Sequence, residues 1–435
     1  MKAVILAAGE GVRLRPLTET RPKHMIKIAG KPIIEYCLEA IRACGIRDVV
    51  IVVNYMADKI QGYFGNGEKI GLNIEYAYQE SIIGTGNAVT AAEPYVSGDF
   101  LLVYGDLLFT AKALEKVLDT HKDNAPTATM AVVQVDNPEE FGIVETAAGG
   151  RVKRIIEKPR REEAPSNMAN AGIYVFSEEI FEKARKIKAS SRGEWEITDA
   201  ITLMANDGAC ILTAEIPISE WCDVGRPWDL LEANRWALSR MEHKVLGAIE
   251  DGAHLIGPVS VAKNTRIRSG AYIEGPVFID EGSDIGPNCY IRPYTSIGKR
   301  TRIGNACEIK NSIIMDGTHI GHLSYVGDSI IGENCNFGAG TITANYRLDA
   351  KNVKMMVKDR LIDTGRRKLG AILGDNVKTG VNALFMPGVK IGSNSWIGPN
   401  VIVNRDVPSN TIILLKQNLE EKARNFNETL TSKIL

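Results

Sequence analysis

The chain of 435 residues has seven cysteines, an odd number without any CxxC spacing. That argues against a disulfide framework or a zinc site and for small buried residues. No apolar run approaches the roughly 20 residues that span a bilayer. The opening MKAVILAAGEG lacks the basic, apolar and processing segments of a cleavable signal, so a cytoplasmic location is expected. Net charge is −1, from 52 basic and 53 acidic residues; neither nucleic acid nor membrane is an expected partner, and any phosphate must be held by local basic clusters. The two commonest phosphate loops are also missing. There is no GxxxxGK[ST], and Leu14 stands where GxGxxG needs its third glycine, which disfavours P-loop hydrolases and dinucleotide dehydrogenases.

What the chain does have is a repeat. Leu255, Val261, Ile267, Ile273, Ile279, Ile285, Ile291, Ile297, Ile303 and Ile309 place an aliphatic residue at every sixth position, a pattern with a chance probability on the order of 10⁻⁶. One buried position in six suits a short strand and a tight turn, not a helix, and predicts a parallel β-helix of about three strands per coil. The phase slips at Ile314 and Ile331, breaks between Tyr346 and Leu369, and returns from Leu373 to Val403. Such breaks are where function is inserted. The hexads resemble those of hexapeptide-repeat acyltransferases, a resemblance that implies a left-handed coil and a homotrimer with active sites between subunits.

Before the repeat, apolar runs such as KAVILAAG, VVIVVN and FLLVYGD alternate with helical stretches such as PIIEYCLEAIRACG. This predicts a Rossmann-like three-layer α/β domain with ligands at the carboxyl ends of its strands. The loop after the first strand carries Gly9 and Gly11, which let backbone approach a phosphate, together with Arg13, Arg15 and Lys23. AAGEGVRLRPLTETRPK resembles the GxGxRxxPxTxxxPK signature of sugar-1-phosphate nucleotidylyltransferases. The likeness implies that Gln79, Gly84 and Thr85 read the nucleobase and that Asp106 and Asp223 hold Mg²⁺. It also implies that Gly142, Glu157, Lys158 and Asn170 bind the sugar phosphate. The reaction would be attack of a sugar-1-phosphate oxygen on the α-phosphorus of a nucleoside triphosphate. That nucleophile is already anionic, so alignment and charge neutralisation by Arg13 and Lys23 are needed rather than a general base. Val12, His24 and Lys27 depart from the signature without removing a charged role.

The interrupted part of the repeat holds GHLSYVGDS and NFGAGTITANY. Both resemble the acetyltransferase site of the bifunctional enzymes that acetylate glucosamine-1-phosphate and then form UDP-N-acetylglucosamine. That likeness makes His322 the general base, gives Arg292, Lys310, Tyr325 and Asn336 to the sugar phosphate, and puts Asn345, Tyr346 and Lys351 in the catalytic loop or against acetyl-CoA. A base suits the chemistry, since a protonated amine must lose a proton before it attacks a thioester. The insertion YRLDAKNVKMMVKDRLIDTGRRKLG is longer than the corresponding bacterial loop, and its Arg366, Arg367 and Lys368 either meet the coenzyme's phosphates or stand in solvent.

The expected division is a nucleotidylyltransferase domain over residues 1–225, a linker helix over 226–250, a β-helix acetyltransferase over 251–416 and a tail over 417–435, helical or frayed. The expected substrates are UTP or dTTP, glucosamine- or galactosamine-1-phosphate with its N-acetyl product, and acetyl-CoA. The rival reading is a single glucose-1-phosphate thymidylyl- or uridylyltransferase whose β-helix is a trimerisation or regulatory scaffold. A pure scaffold has no use for His322, Tyr325, Asn345 and Lys351 where the repeat breaks.

Overall fold

A computed structural model describes residues 1–190 and 193–423. Strand Ala3–Leu6 lies in the middle of a nine-stranded mixed sheet, parallel to Asp48–Val53 on one side and Phe100–Tyr104 on the other. Its side chains alternate between two cores. Ala3 and Ile5 join the cluster that takes in Ile34, Leu38 and Ile41 of helix Ile33–Ala43, while Val4 and Leu6 join the one that takes in Ile197, Ile201 and Met204 of helix Ile197–Asn206. These are the three layers the apolar runs predict. Leu6 is in register with Tyr104, so the glycine loop and Asp106 leave the sheet side by side. Beyond Phe100–Tyr104 the long strand Met168–Phe176 runs antiparallel and brings Asn170 to the same edge.

The second half is a parallel β-helix of three sheets. Residues 18 apart stack directly, as in His254↔Tyr272 and Ile267↔Ile285. The hexad residues from Val261 to Val403 point into one continuous interior. The slips in phase are coils one residue shorter, with Ile297 over Ile314 and Ile314 over Ile331. Ile331 then pairs with Leu373, the intervening chain having left the coil. Asparagine recurs at corners with positive φ, where its short polar side chain is tolerated; Asn376, Asn394 and Asn410 form a ladder with 3.0 Å steps. All seven cysteines are free, and Cys289, Cys307 and Cys335 fill the coil interior.

The two halves share a core. Leu14 and Leu17 of the glycine loop and Trp228 and Leu231 near the joining helix belong to one apolar cluster with Ile313, Met315 and Ile372 of the coil and Val353, Met355 and Val357 of the insertion. The helix expected over 226–250 runs only from Asp229 to Leu238. It stops because the chain joins the first coil: Val261 donates to Lys244 O and Leu246 donates to Val261 O, so sheet hydrogen bonds replace helical ones. Residues 417–423 carry no regular structure, and the rest of the expected tail lies outside the described residues.

A polar staple reinforces this seam. Arg21, beside the loop lysine, is buried and bonds to Asp375, to Glu333 at 3.0 Å and to Met315 Sδ at 3.2 Å, all from the β-helix. Breaking a buried pair strands its partner charge at a cost of about 3–5 kcal/mol. Arg21→Ala is therefore expected to lower the unfolding temperature well beyond any surface arginine variant, as read by scanning calorimetry. Equal losses for Arg21→Ala and Arg302→Ala would contradict the staple.

Candidate active sites

The carboxyl edge of the first sheet opens into a cavity of about 680 Å³. Every residue expected at the nucleotidyl site lines it: Gly9, Gly11, Arg13, Lys23, Gln79, Gly84, Thr85, Asp106, Gly142, Glu157, Lys158, Asn170 and Asp223. Gly11 adopts φ 66°, and a Cβ there would lie 2.9 Å from Lys23 Cβ. The loop thus folds back on its own lysine and stays open to a ligand along its backbone. At the other end Gln79 is buried, held by its Nε2 donating to Gly84 O at 3.2 Å and Asn87 Oδ1 at 2.9 Å. A side chain at Gly84 would come within 2.3 Å of Trp195 O, so the wall there is backbone. Gly142 and Glu157 are in register across a hairpin, and Asn170 Nδ2 donates to Tyr174 Oη at 2.6 Å.

Asp106 follows strand Phe100–Tyr104, and Asp223 ends strand Trp221–Asp223, which pairs with Leu107–Phe109 so that Asp223 sits opposite Leu107. Two carboxylates from distant sequence are thereby brought to one spot. Burial works against ionisation of both. At Asp106 that effect is outweighed by the Lys23 ammonium, which is bonded to it, so the carboxyl stays below its usual range. Asp223 has Arg13 and Lys23 only as weaker counterweights to burial and to Asp106, and rises to about 7. The pair presents hard oxygens of the kind Mg²⁺ takes, and Asp223 is raised first by burial and then by the neighbouring Asp106 carboxylate.

Some lining residues carry no sequence signal. Tyr104 Oη accepts from Tyr174 Oη at 3.1 Å and forms the cavity floor, and His24 is buried and held neutral, its acidity shifted to about 3 by burial and Lys23. Lys358 reaches the cavity from the insertion. Aromatic floors and cross-domain arms depend on packing partners, which a local motif does not encode.

The expected acetyl-transfer residues fall on successive coils. Glu308 is in register with Tyr290 and Tyr325, so Arg292 and Lys310 stack beside Gly327 on one sheet. Asn345 donates to Tyr325 Oη at 3.1 Å and to Asp328. Asp328, which sequence reading overlooks, is the buried hub, accepting from Lys310 Nζ at 3.0 Å and Asn311 Nδ2 at 2.7 Å. Arg292 pairs with Glu308 at 2.8 Å. His322 is exposed at the corner leading to Tyr325. Asn336 stands on the adjoining sheet in register with His319, not His322. Tyr346 is exposed and bridges to Lys368, and Lys351 lines a separate polar pocket with Arg347, Lys354 and Arg367. Arg366 turns toward the first domain and pairs with Glu232. Among the described residues, no helix is long and apolar enough to cross a membrane.

Comparison with known proteins matches residues 2–240 to the nucleotidyl transferase family, 273–384 to the GMPPB C-terminal domain and 370–405 to the bacterial transferase hexapeptide repeat. The hexapeptide match belongs with the left-handed coil the repeat implies. A bifunctional protein GlmU of Methanococcus maripaludis is 45% identical over 419 residues, 96% of this chain and 98% of that protein. A bifunctional sugar-1-phosphate nucleotidylyltransferase/acetyltransferase of Sulfurisphaera tokodaii is 46% identical over 410 residues, 94% and 98% of the two chains. A UDP-glucose pyrophosphorylase solved with UDP-glucose overlays with a TM-score of 0.49 at 26% identity, covering 54% of this chain and 96% of the other.

Proposed function

The chain belongs to the family of bifunctional sugar-1-phosphate nucleotidylyltransferase/acetyltransferases, and from that premise we propose how it divides the work. It transfers acetyl from acetyl-CoA to glucosamine-1-phosphate in the β-helix, residues 251–416. It then couples the product to UTP in the α/β domain, residues 1–225, across the segment 226–250. The observation that carries this reading is two chemically different constellations in one chain, a phosphate cavity with paired carboxylates and a separate column around Asp328.

In the first site, Gly9 and Gly11 cradle the triphosphate, and Arg13 and Lys23 offset the charge that develops on the α-phosphate and the leaving pyrophosphate. Lys158 neutralises the sugar phosphate, and Glu157 and Asn170 hold sugar hydroxyl and acetamido groups. Asp106 and Asp223 are the residues to hold Mg²⁺, which supplies charge neutralisation at the phosphates when bound. Galactosamine-1-phosphate and dTTP are alternative substrates of the same sites, separated by hydrogen bonds of about 1–3 kcal/mol each. Exposed Ile342, Trp396, Ile402 and Ile412 on the coil support assembly as a trimer.

In the second site, His322 takes the amine proton while Arg292 and Lys310 meet the sugar phosphate. Tyr325, oriented by Asn345, and Asn336 contact the sugar. Tyr346 and Lys351 line the coenzyme's approach.

The rival reading makes the β-helix a trimerisation or regulatory scaffold. Thiol release from acetyl-CoA with glucosamine-1-phosphate, followed by pyrophosphate release on adding UTP, decides between them. Absence of thiol release with either amino sugar phosphate would return the β-helix to a scaffold.

Protonation of Asp223 gives Mg²⁺ binding a pH dependence. With a folded value near 7, the carboxyl is neutral below that pH and a ligand above it. Mg²⁺ affinity by calorimetry is expected to rise from pH 6 to 8 with proton release at the lower end. Without metal, the same shift costs stability as pH rises from about 4 toward 7, because there the unfolded chain has released a proton that the folded one retains. An Asp223→Asn chain should lose the Mg²⁺ slope and the stability slope between about pH 6 and 7, while the part below is shared with neighbouring Asp229, raised to about 6.

A further inference from the structure

Of the described residues lining the nucleotidyl cavity, Lys358 alone comes from beyond residue 250. It sits at the tip of an antiparallel hairpin, Lys354–Val357 with Arg360–Asp363, inside the segment that leaves the coil. Alternation along the first strand divides its residues by face. Val353, Met355 and Val357 are buried in the cluster shared by the two domains, while Lys354, Met356 and Lys358 are exposed. The hairpin is therefore fixed by its apolar face, and its tip is held at the cavity without being buried.

The turn itself is costly. Lys358 and Asp359 both have positive φ, 46° and 57°, in a two-residue connection that glycine or asparagine would fill with less strain. Val357 lies in the same cluster as Leu14 and Val224. Those residues adjoin Arg13 and Asp223 in sequence, and Lys358 lines one cavity with both.

On the nucleotidyl-transfer reading above, we propose that Lys358 is a substrate-binding residue of that reaction, a cation supplied by the second domain to the β- and γ-phosphates of the nucleotide and thus to the departing pyrophosphate. A nucleoside triphosphate brings several negative charges, and Arg13 and Lys23 are the loop's own cations in the cavity; Lys23 is already bonded to Asp106. A third cation on a rigid arm strengthens binding of the anion without disturbing the loop. The first domain alone would have an incomplete site.

The test uses the full chain and its Lys358→Ala and Lys358→Arg variants, assayed in parallel for pyrophosphate release from UTP and thiol release from acetyl-CoA. Loss of one charged contact predicts a fall of about 10–100-fold in kcat/KM for UTP in the alanine variant, a matching rise in KM for pyrophosphate in the reverse direction, and substantial recovery with arginine. Thiol release should be unchanged. Unaltered UTP and pyrophosphate kinetics in Lys358→Ala would overturn the proposal, as would equal losses in both activities, which would make the hairpin merely structural. A parent chain that releases no pyrophosphate with UTP or dTTP would instead overturn the underlying nucleotidyl reading, and this proposal with it.

Discussion

Asp106→Ala is expected to lower UTP-dependent pyrophosphate release by at least about 10³-fold while leaving thiol release from acetyl-CoA close to that of the parent. Removing this carboxylate deletes one of the two oxygen donors for the cation and leaves the Lys23 ammonium without its partner. Loss of a single preorganised electrostatic element costs about 10²–10³ in rate, and loss of a metal position adds to it. Asp106 lies just past strand Phe100–Tyr104, and its backbone carbonyl, which accepts from Val224 N, is kept by alanine, so the fold should survive; Asp106→Asn, which keeps the shape, separates charge from packing. Loss of both activities in a folded Asp106→Ala chain would contradict two independent sites.

The complementary result is expected for His322→Ala. Deleting a general base lowers acetyl transfer by about 10²–10⁴-fold, while pyrophosphate release from UTP and N-acetylglucosamine-1-phosphate continues. His322 is exposed at a corner, and the neighbouring structural work is done by its backbone: Ser324 Oγ and Gly340 N both donate to His322 O. An alanine keeps those bonds. Retained thiol release in this variant would move the base elsewhere on the coil. Loss that raising the pH restores would instead mark a histidine acting only to deprotonate the amine before it binds.

The first site was legible in the sequence because its parts are contiguous motifs at strand ends. A strand followed by AAGEG leaves the chain few ways to place Gly11 and Lys23, and Asp106 stands just past the run FLLVY. Tyr104 and His24 were assigned no role because nothing local distinguishes a tyrosine or histidine on a cavity wall from one in a core. The column around Asp328 is intermediate. The hexads predict that residues one coil apart will stack, yet they do not say that Asp328 is the residue on which Lys310, Asn311 and Asn345 converge.

The sequence alone determined the two architectures and the coil interior, since periodicity and strand-end motifs are local properties of the chain. Tertiary structure decided how the halves meet. Arg21 reads as part of a phosphate signature, but its side chain turns into the β-helix to Asp375 and Glu333. The insertion after Tyr346 reads as an acetyl-site loop, but part of it folds as a hairpin whose apolar face joins the core shared by both domains and brings Lys358 to the other cavity. The physical reason is that Val353, Met355 and Val357 are buried in a cluster that draws on Leu14, Leu17 and Val224 of the first domain as well as on the coil. No local pattern specifies such a partner, and it exists only once both domains have folded.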